Sequence, residues 1–156
     1  MSAGGGSTYK DTVRFVDKPE SSYILDEINL SQYSDVQFYS EINSRNTLEN
    51  VTEALKILDF SDYKSILYIS KSHDCKRCWL TLKRFLPNAK LLQQTFSGLY
   101  PNTDRVLAPD NWSTFDFGIS RVWGEYLRIK KYGERGDIAY DEDTRQLVFE
   151  IESLMV

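Results

Sequence analysis

The feature that most constrains the fold is a short apolar run, Ile66-Leu67-Tyr68-Ile69, the longest in the chain. A nearly continuous apolar run of this length suits a strand covered on both faces, so residues 65–70 are predicted as a buried strand. The polar turn Lys71-Ser72-His73-Asp74 follows, and then residues 75–85 carry a helical pattern. Residues 89–93 can supply the next strand. Upstream, Leu48, Val51, Leu55 and Leu58 recur at helical spacing while Glu49, Glu53 and Lys56 can stay in water. That helix has a marked start, because Asn46 with Glu49 three residues later resembles a capping arrangement.

The remaining segments extend the alternation. Residues 21–30 suit a short helix with Ile24, Leu25 and Ile28 on one face, and residues 36–39 read as a short strand. Residues 95–112, with Pro101 and Pro109, read as a long loop. Helices are expected at residues 114–132 and 144–155. Strand, turn and helix in alternation imply an α/β fold with a mainly parallel sheet, in one domain over residues 1–156.

Composition narrows the function classes. At 156 residues the chain can bury a real core, and 21 aromatic residues (10 Tyr, 8 Phe, 3 Trp) argue against a disordered polymer. Nineteen basic against 23 acidic residues give a net charge of -4, which disfavours duplex nucleic acid as a general partner. A membrane helix needs about 20 mostly apolar residues, and none is visible. Met1-Ser2-Ala3-Gly4-Gly5-Gly6 has neither a basic nor an apolar signal region, so a cytoplasmic setting is expected.

Chemistry is expected at the strand-to-helix turns, because ligands of open parallel sheets bind outside the carboxyl ends of the strands. One turn holds Glu41, Ser44, Arg45, Asn46 and Thr47; the other holds Lys71, Ser72 and His73. Each leads into a helix N-terminus whose free N–H groups favour an anionic ligand. The competing reading is helix capping and a solvated loop. Arg77 lies close enough to the second turn to pair with a phosphate or carboxylate. His73, the only histidine, is the candidate proton carrier, against the plainer role of a hydrogen-bonding surface residue. Gly4 and Gly5 either let the backbone approach a ligand or belong to a loose tail. Trp79 and Trp123 read as core residues.

Cys75-Lys76-Arg77-Cys78 places a C-x-x-C pair at a helix start after an apolar strand, as dithiol redox sites do. Without a second cysteine pair, a four-cysteine zinc site cannot form within one chain. Two reduced cysteines on an ordinary helix is the plainer alternative.

The segment Glu41-Ile-Asn-Ser44-Arg-Asn46-Thr47-Leu-Glu49-Asn50 resembles the central motif of the YdcF/SanA/ElyC family: a Glu, then Ser/Thr-x-Asn-Thr-x-Glu-Asn opening a helix. Lys71-Ser-His73-Asp-Cys-Lys76-Arg77 is similar to the motif after that family's next strand in the YdcF branch. Gly124-Glu125-Tyr126-Leu127-Arg128 and Tyr132 through Gly136-Asp137-Ile138 resemble the branch's C-terminal helix and turn. Ser2-Ala3-Gly4-Gly5 resembles its serine-glycine-glycine turn.

The resemblance implies a Rossmann-like three-layer α/β sandwich with a helical C-terminal part from about residue 114. Its pocket would be lined by Gly4, Gly5, Glu41, Ser44, Asn46, Thr47, Glu49, Asn50, Lys71 and Arg77. Asn46, Thr47 and Asn50 would organise the first turn, and Glu41 or Glu49 would hold ribose hydroxyls or an amine. S-adenosylmethionine is the implied ligand, with no established reaction in the YdcF branch. Two departures stand out. The family's first strand and its glycine turn have no counterpart ahead of Ser2, and the acidic residue near the following helix has only Glu20 as a candidate. A shortened relative acting in protein interaction, or a second copy of the chain that completes the sheet, is the expectation those departures raise.

Overall fold

The computed structural model describes residues 19–99 and 105–154. They fall into two compact units divided between Asp62 and Tyr63.

In the first unit, helix α1 (Glu20–Glu27) is followed by a single 3-10 turn, Leu30–Gln32, and then by irregular chain up to helix α2 (Thr47–Ile57). The capping arrangement around α2 forms as its residues dictate. Asn46 Oδ1 accepts the Glu49 N–H at 3.0 Å, and the Glu49 carboxylate accepts the Arg45 N–H at 2.8 Å. Orphan donors at the helix start are thereby satisfied. Val51 and Ala54 form the buried stripe of α2. The strand expected over residues 36–39 does not form: the segment is irregular, and Val36, Phe38 and Tyr39 stay exposed. A short apolar and aromatic run becomes a strand only where a neighbour accepts its ladder bonds; here Phe38 instead meets the Tyr33 ring edge-on, centroids 6.4 Å apart.

The second unit is built on a strand–helix–strand repeat. Strand β1 (Ser65–Lys71), helix α3 (Cys75–Phe85) and strand β2 (Lys90–Phe96) follow each other. The two strands pair in parallel, Ser65 opposite Lys90 through Lys71 opposite Phe96. A parallel pair needs such a crossover, and α3 supplies it. The expected loop over residues 95–112 is partly ordered instead. A short antiparallel ladder joins β3 (Gly98–Leu99) to β4 (Val106–Leu107), while Pro101 lies outside the described residues. The fold is thus mixed α/β, with a two-stranded parallel sheet among the described residues.

Two longer helices complete this unit, α4 (Asp116–Arg135) and α5 (Glu142–Ser153). Gly136, at φ 79°, ends α4 in the left-handed conformation that glycine adopts without strain. The turn beyond it docks on α3, where the Ala139 N–H donates to the Leu80 carbonyl at 2.9 Å. Leu80, Leu107, Ile138 and Val148 are among the buried apolar residues of this unit. Trp79 and Trp123, expected in the core, are half-buried: Lys76 Nζ lies 4.8 Å over the Trp79 ring, and Trp123 stacks on Tyr126. Partial exposure suits indoles that offer a face to a cation or a neighbouring ring. No helix among the described residues is long and apolar enough to cross a membrane.

Candidate functional site

The two polar turns predicted from the sequence belong to different units, and each organises its own cluster. In the first, the Glu41 side chain folds back over its own turn. It is 1% exposed, and its carboxylate accepts the backbone N–H groups of Asn43 and Ser44 and the Ser44 hydroxyl. Burial pushes the carboxyl pKa up, but the Ser44 hydroxyl, the two amides and the Lys56 charge outweigh it, so the value falls below the ordinary one. The Ser21 hydroxyl donates to the Glu41 carbonyl at 2.6 Å and ties the turn to α1. Asn46 and Glu49 serve the helix cap, and Thr47 opens the helix. Asn50 differs from these: its Oδ1 is buried with no hydrogen-bond partner. Gly4 and Gly5 lie outside the described residues.

In the second unit the turn after β1 sits at the carboxyl end of the parallel pair, anchored by the Ser72 N–H to the Phe96 carbonyl at 3.0 Å. Here the polar side chains compete for solvation. Arg77, which the sequence offered to a ligand anion, meets the chain's own carboxylate: its Nε lies 2.5 Å from Glu125 Oε2. Arg128 reaches the other oxygen of Glu125 at 2.8 Å, and Asp74 stands 3.8 Å from Arg77 Nη2. Glu125 and the Arg77 side chain are almost wholly buried.

His73 lies beside this cluster. Burial lowers its pKa to about 4; Glu125 opposes the shift, and Lys71, Arg121 and Arg77 reinforce it. Burial likewise raises the Asp74 carboxyl above its ordinary value, although Arg77 pulls the other way. At neutral pH His73 is therefore a neutral imidazole, able to accept a proton only from a strong donor. Lys71 is exposed at the strand's end. Beneath the turn, the Ser70 hydroxyl is 8% exposed and has no hydrogen-bond partner. Tyr68, two residues before it, places its hydroxyl 2.5 Å from Gln93 Oε1, and burial pushes its pKa up to about 12.

A cavity of about 170 Å³ opens beside this cluster. Its walls are almost wholly apolar, Val122, Ile129 and Leu147 among them, and His73, Lys76 and Glu125 also line it. That space resembles the volume that holds a benzene-sized group in an apolar cavity, about 150 Å³. Among the described residues no group of three or more His, Cys, Asp or Glu side chains could hold a metal ion.

Sequence reasoning assigned no site role to Glu125, Asp74 or Ser70. A signal for Glu125 existed: Val122, Glu125, Tyr126 and Ile129 share one helical stripe, and a carboxylate on an apolar stripe needs a cation. Which cation, 48 residues away, only the fold reveals. The chain matches no protein-family model, no curated protein and no solved structure.

Proposed function

We propose that the chain is a cytoplasmic, YdcF-like domain that binds a nucleotide-type small molecule, with S-adenosylmethionine as the first ligand to test. The observation that carries this reading is the desolvated cluster of His73, Asp74 and Glu125, with the exposed Lys71 beside it, at the carboxyl end of a parallel strand pair and next to a largely apolar cavity. Open α/β sheets bind ligands at that end of their strands. The unpartnered Ser70 hydroxyl beneath the turn supports it, since a buried donor without a partner is uncommon. On this reading the strand–helix–strand repeat is the unit of a Rossmann-like three-layer sandwich. Lys71 meets a ligand carboxylate, His73 and Ser70 supply hydrogen bonds, and the cavity takes an apolar portion. In the first unit, the buried and unpartnered Oδ1 of Asn50 is a separate acceptor for a ligand donor.

Thermal unfolding followed by circular dichroism, with and without S-adenosylmethionine, tests this. Ligand at 100 times its Kd adds about 2.7 kcal/mol, a rise of roughly 5–10 °C for a chain of this size. Lys71→Ala and His73→Gln should shrink that rise. An unmoved midpoint at millimolar ligand would reject S-adenosylmethionine.

A second reading has its own observation. Leu67, Ile69, Leu92 and Phe96 share one face of the parallel pair, and Leu67 and Ile69 are 62% and 67% exposed. Parallel sheets are normally covered on both faces. That face favours a second copy of the chain as partner. Sedimentation of the wild type against Ile69→Lys tests it: a dimer lost in the variant supports the reading, and a wild-type monomer rejects it.

A further inference from the structure

We propose that Cys75 and Cys78 form a reversible dithiol–disulfide pair that exchanges with low-molecular-weight disulfides, Cys75 attacking and Asp74 taking the proton from Cys78. The first residue of α3 is Cys75, and Cys78 follows one turn later on the same side of the helix. Helical geometry puts their Cα atoms about 5 Å apart, inside the span a disulfide bridges. Both thiols are free and half-buried.

Their surroundings differ in the way a two-step exchange requires. Cys75 opens α3 directly after the turn, at the N-terminal end of the helix. The Cys78 sulfur lies 3.8 Å from Asp74 Oδ1, so its proton already points at a carboxylate. Burial, with the Asp74 charge beside it, pushes the Cys78 thiol up to about 12, so Cys78 does not ionise unaided near neutrality. Burial also raises the Asp74 carboxyl, which makes it a better proton acceptor than an exposed aspartate.

The exchange balances as follows. The Cys75 thiolate attacks one sulfur of the small disulfide RSSR; the S–S bond breaks, a protein–SR mixed disulfide forms, and RS⁻ leaves and takes a proton from solvent. Cys78 then passes its proton to Asp74 as its sulfur attacks the Cys75 sulfur. The second RS⁻ leaves with that proton. Two electrons pass from the protein dithiol to RSSR, giving one protein disulfide and two RSH. Nothing in this sequence requires the ligand proposed above.

The full-length chain incubated with glutathione disulfide provides the test, read by thiol titration and intact mass. The wild type should lose two thiols per chain without retaining glutathione, and dithiothreitol should restore both. Cys78→Ser should hold one glutathione on Cys75. Cys75→Ser should react at least about tenfold more slowly, its remaining thiol being the one held protonated. Asp74→Asn should reach the same disulfide with a mixed disulfide that lives at least about tenfold longer. The proposal is overturned if the wild type keeps both thiols or stops with bound glutathione. Equal reaction rates for the two cysteine variants would also overturn it. The wild-type measurement decides the matter even where a variant fails to fold.

Discussion

The turn at Glu41 and the turn at Lys71 are alike in sequence and opposite in physics. Each carries polar side chains into the start of a helix. In the first, the buried Glu41 carboxylate is answered by donors three residues away or nearer, and its pKa falls. A charge so fully met stabilises its own loop. In the second, the shortest of its ion pairs, Arg77 with Glu125, joins two helices, and burial dominates: His73 falls to about 4, Asp74 rises and Cys78 rises to about 12. Groups held away from their ordinary protonation are where function concentrates, although structural ion pairs produce shifts as well. The local, satisfied turn reads as architecture; the long-range, frustrated one reads as the place for chemistry.

The sharpest way to break this contrast is at Glu125. Glu125→Ala leaves the Arg77 guanidinium buried without its carboxylate and should cost about 3–5 kcal/mol in urea unfolding. Arg77→Met with Glu125→Leu should recover most of that loss, since an apolar pair of similar volume replaces a buried ion pair. A double variant as unstable as Glu125→Ala would show that the pair is more than a solvation device. Next in size is Glu41→Ala, which orphans two backbone donors in the other turn. It should cost about 2–3 kcal/mol by the same unfolding measurement, with no change in glutathione exchange at Cys75.

Acid should separate the turns further. His73 has a folded pKa of about 4 against an ordinary 6.5, so the unfolded chain takes up its proton first as pH falls. Its contribution to stability is whole above pH 6.5, declines between 6.5 and 4, and levels off below. Asp74, raised by burial, opposes that decline, because its protonated form suits the fold. Glu41, with its lowered pKa, loses its contribution only below its ordinary value of 4.5. Unfolding midpoints measured from pH 7.5 to 4 should therefore fall, and His73→Gln should flatten the slope above pH 4.5. The smallest expected effect is Asp74→Asn. Removing a charge that burial penalises should stabilise the chain at neutral pH by less than about 1 kcal/mol, because Arg77 loses a partner at 3.8 Å in the exchange.

How much of this was legible beforehand follows the same division. The cap of α2 was readable, because Asn46 and Glu49 interact within one turn and the residue types fix the bonds. Helix α3 was readable from the polar turn ahead of it and the helical pattern over residues 75–85. Residues 36–39 were misread, since strand propensity describes a side chain's fit to a sheet and cannot say whether a partner strand arrives. The Arg77–Glu125 pair was invisible in spacing alone, because nothing local records which helix packs on which. Sequence reasoning had offered Arg77 to an external anion; the fold supplies the anion itself.

One measurement reaches the centre of the account. His73 is the only histidine, so its imidazole signals can be followed without assignment ambiguity through a pH titration by nuclear magnetic resonance. The desolvated cluster predicts a midpoint of about 4, with the ring neutral throughout the physiological range. A midpoint near 6.5 would mean that water reaches the turn freely, and the contrast between the two turns would collapse.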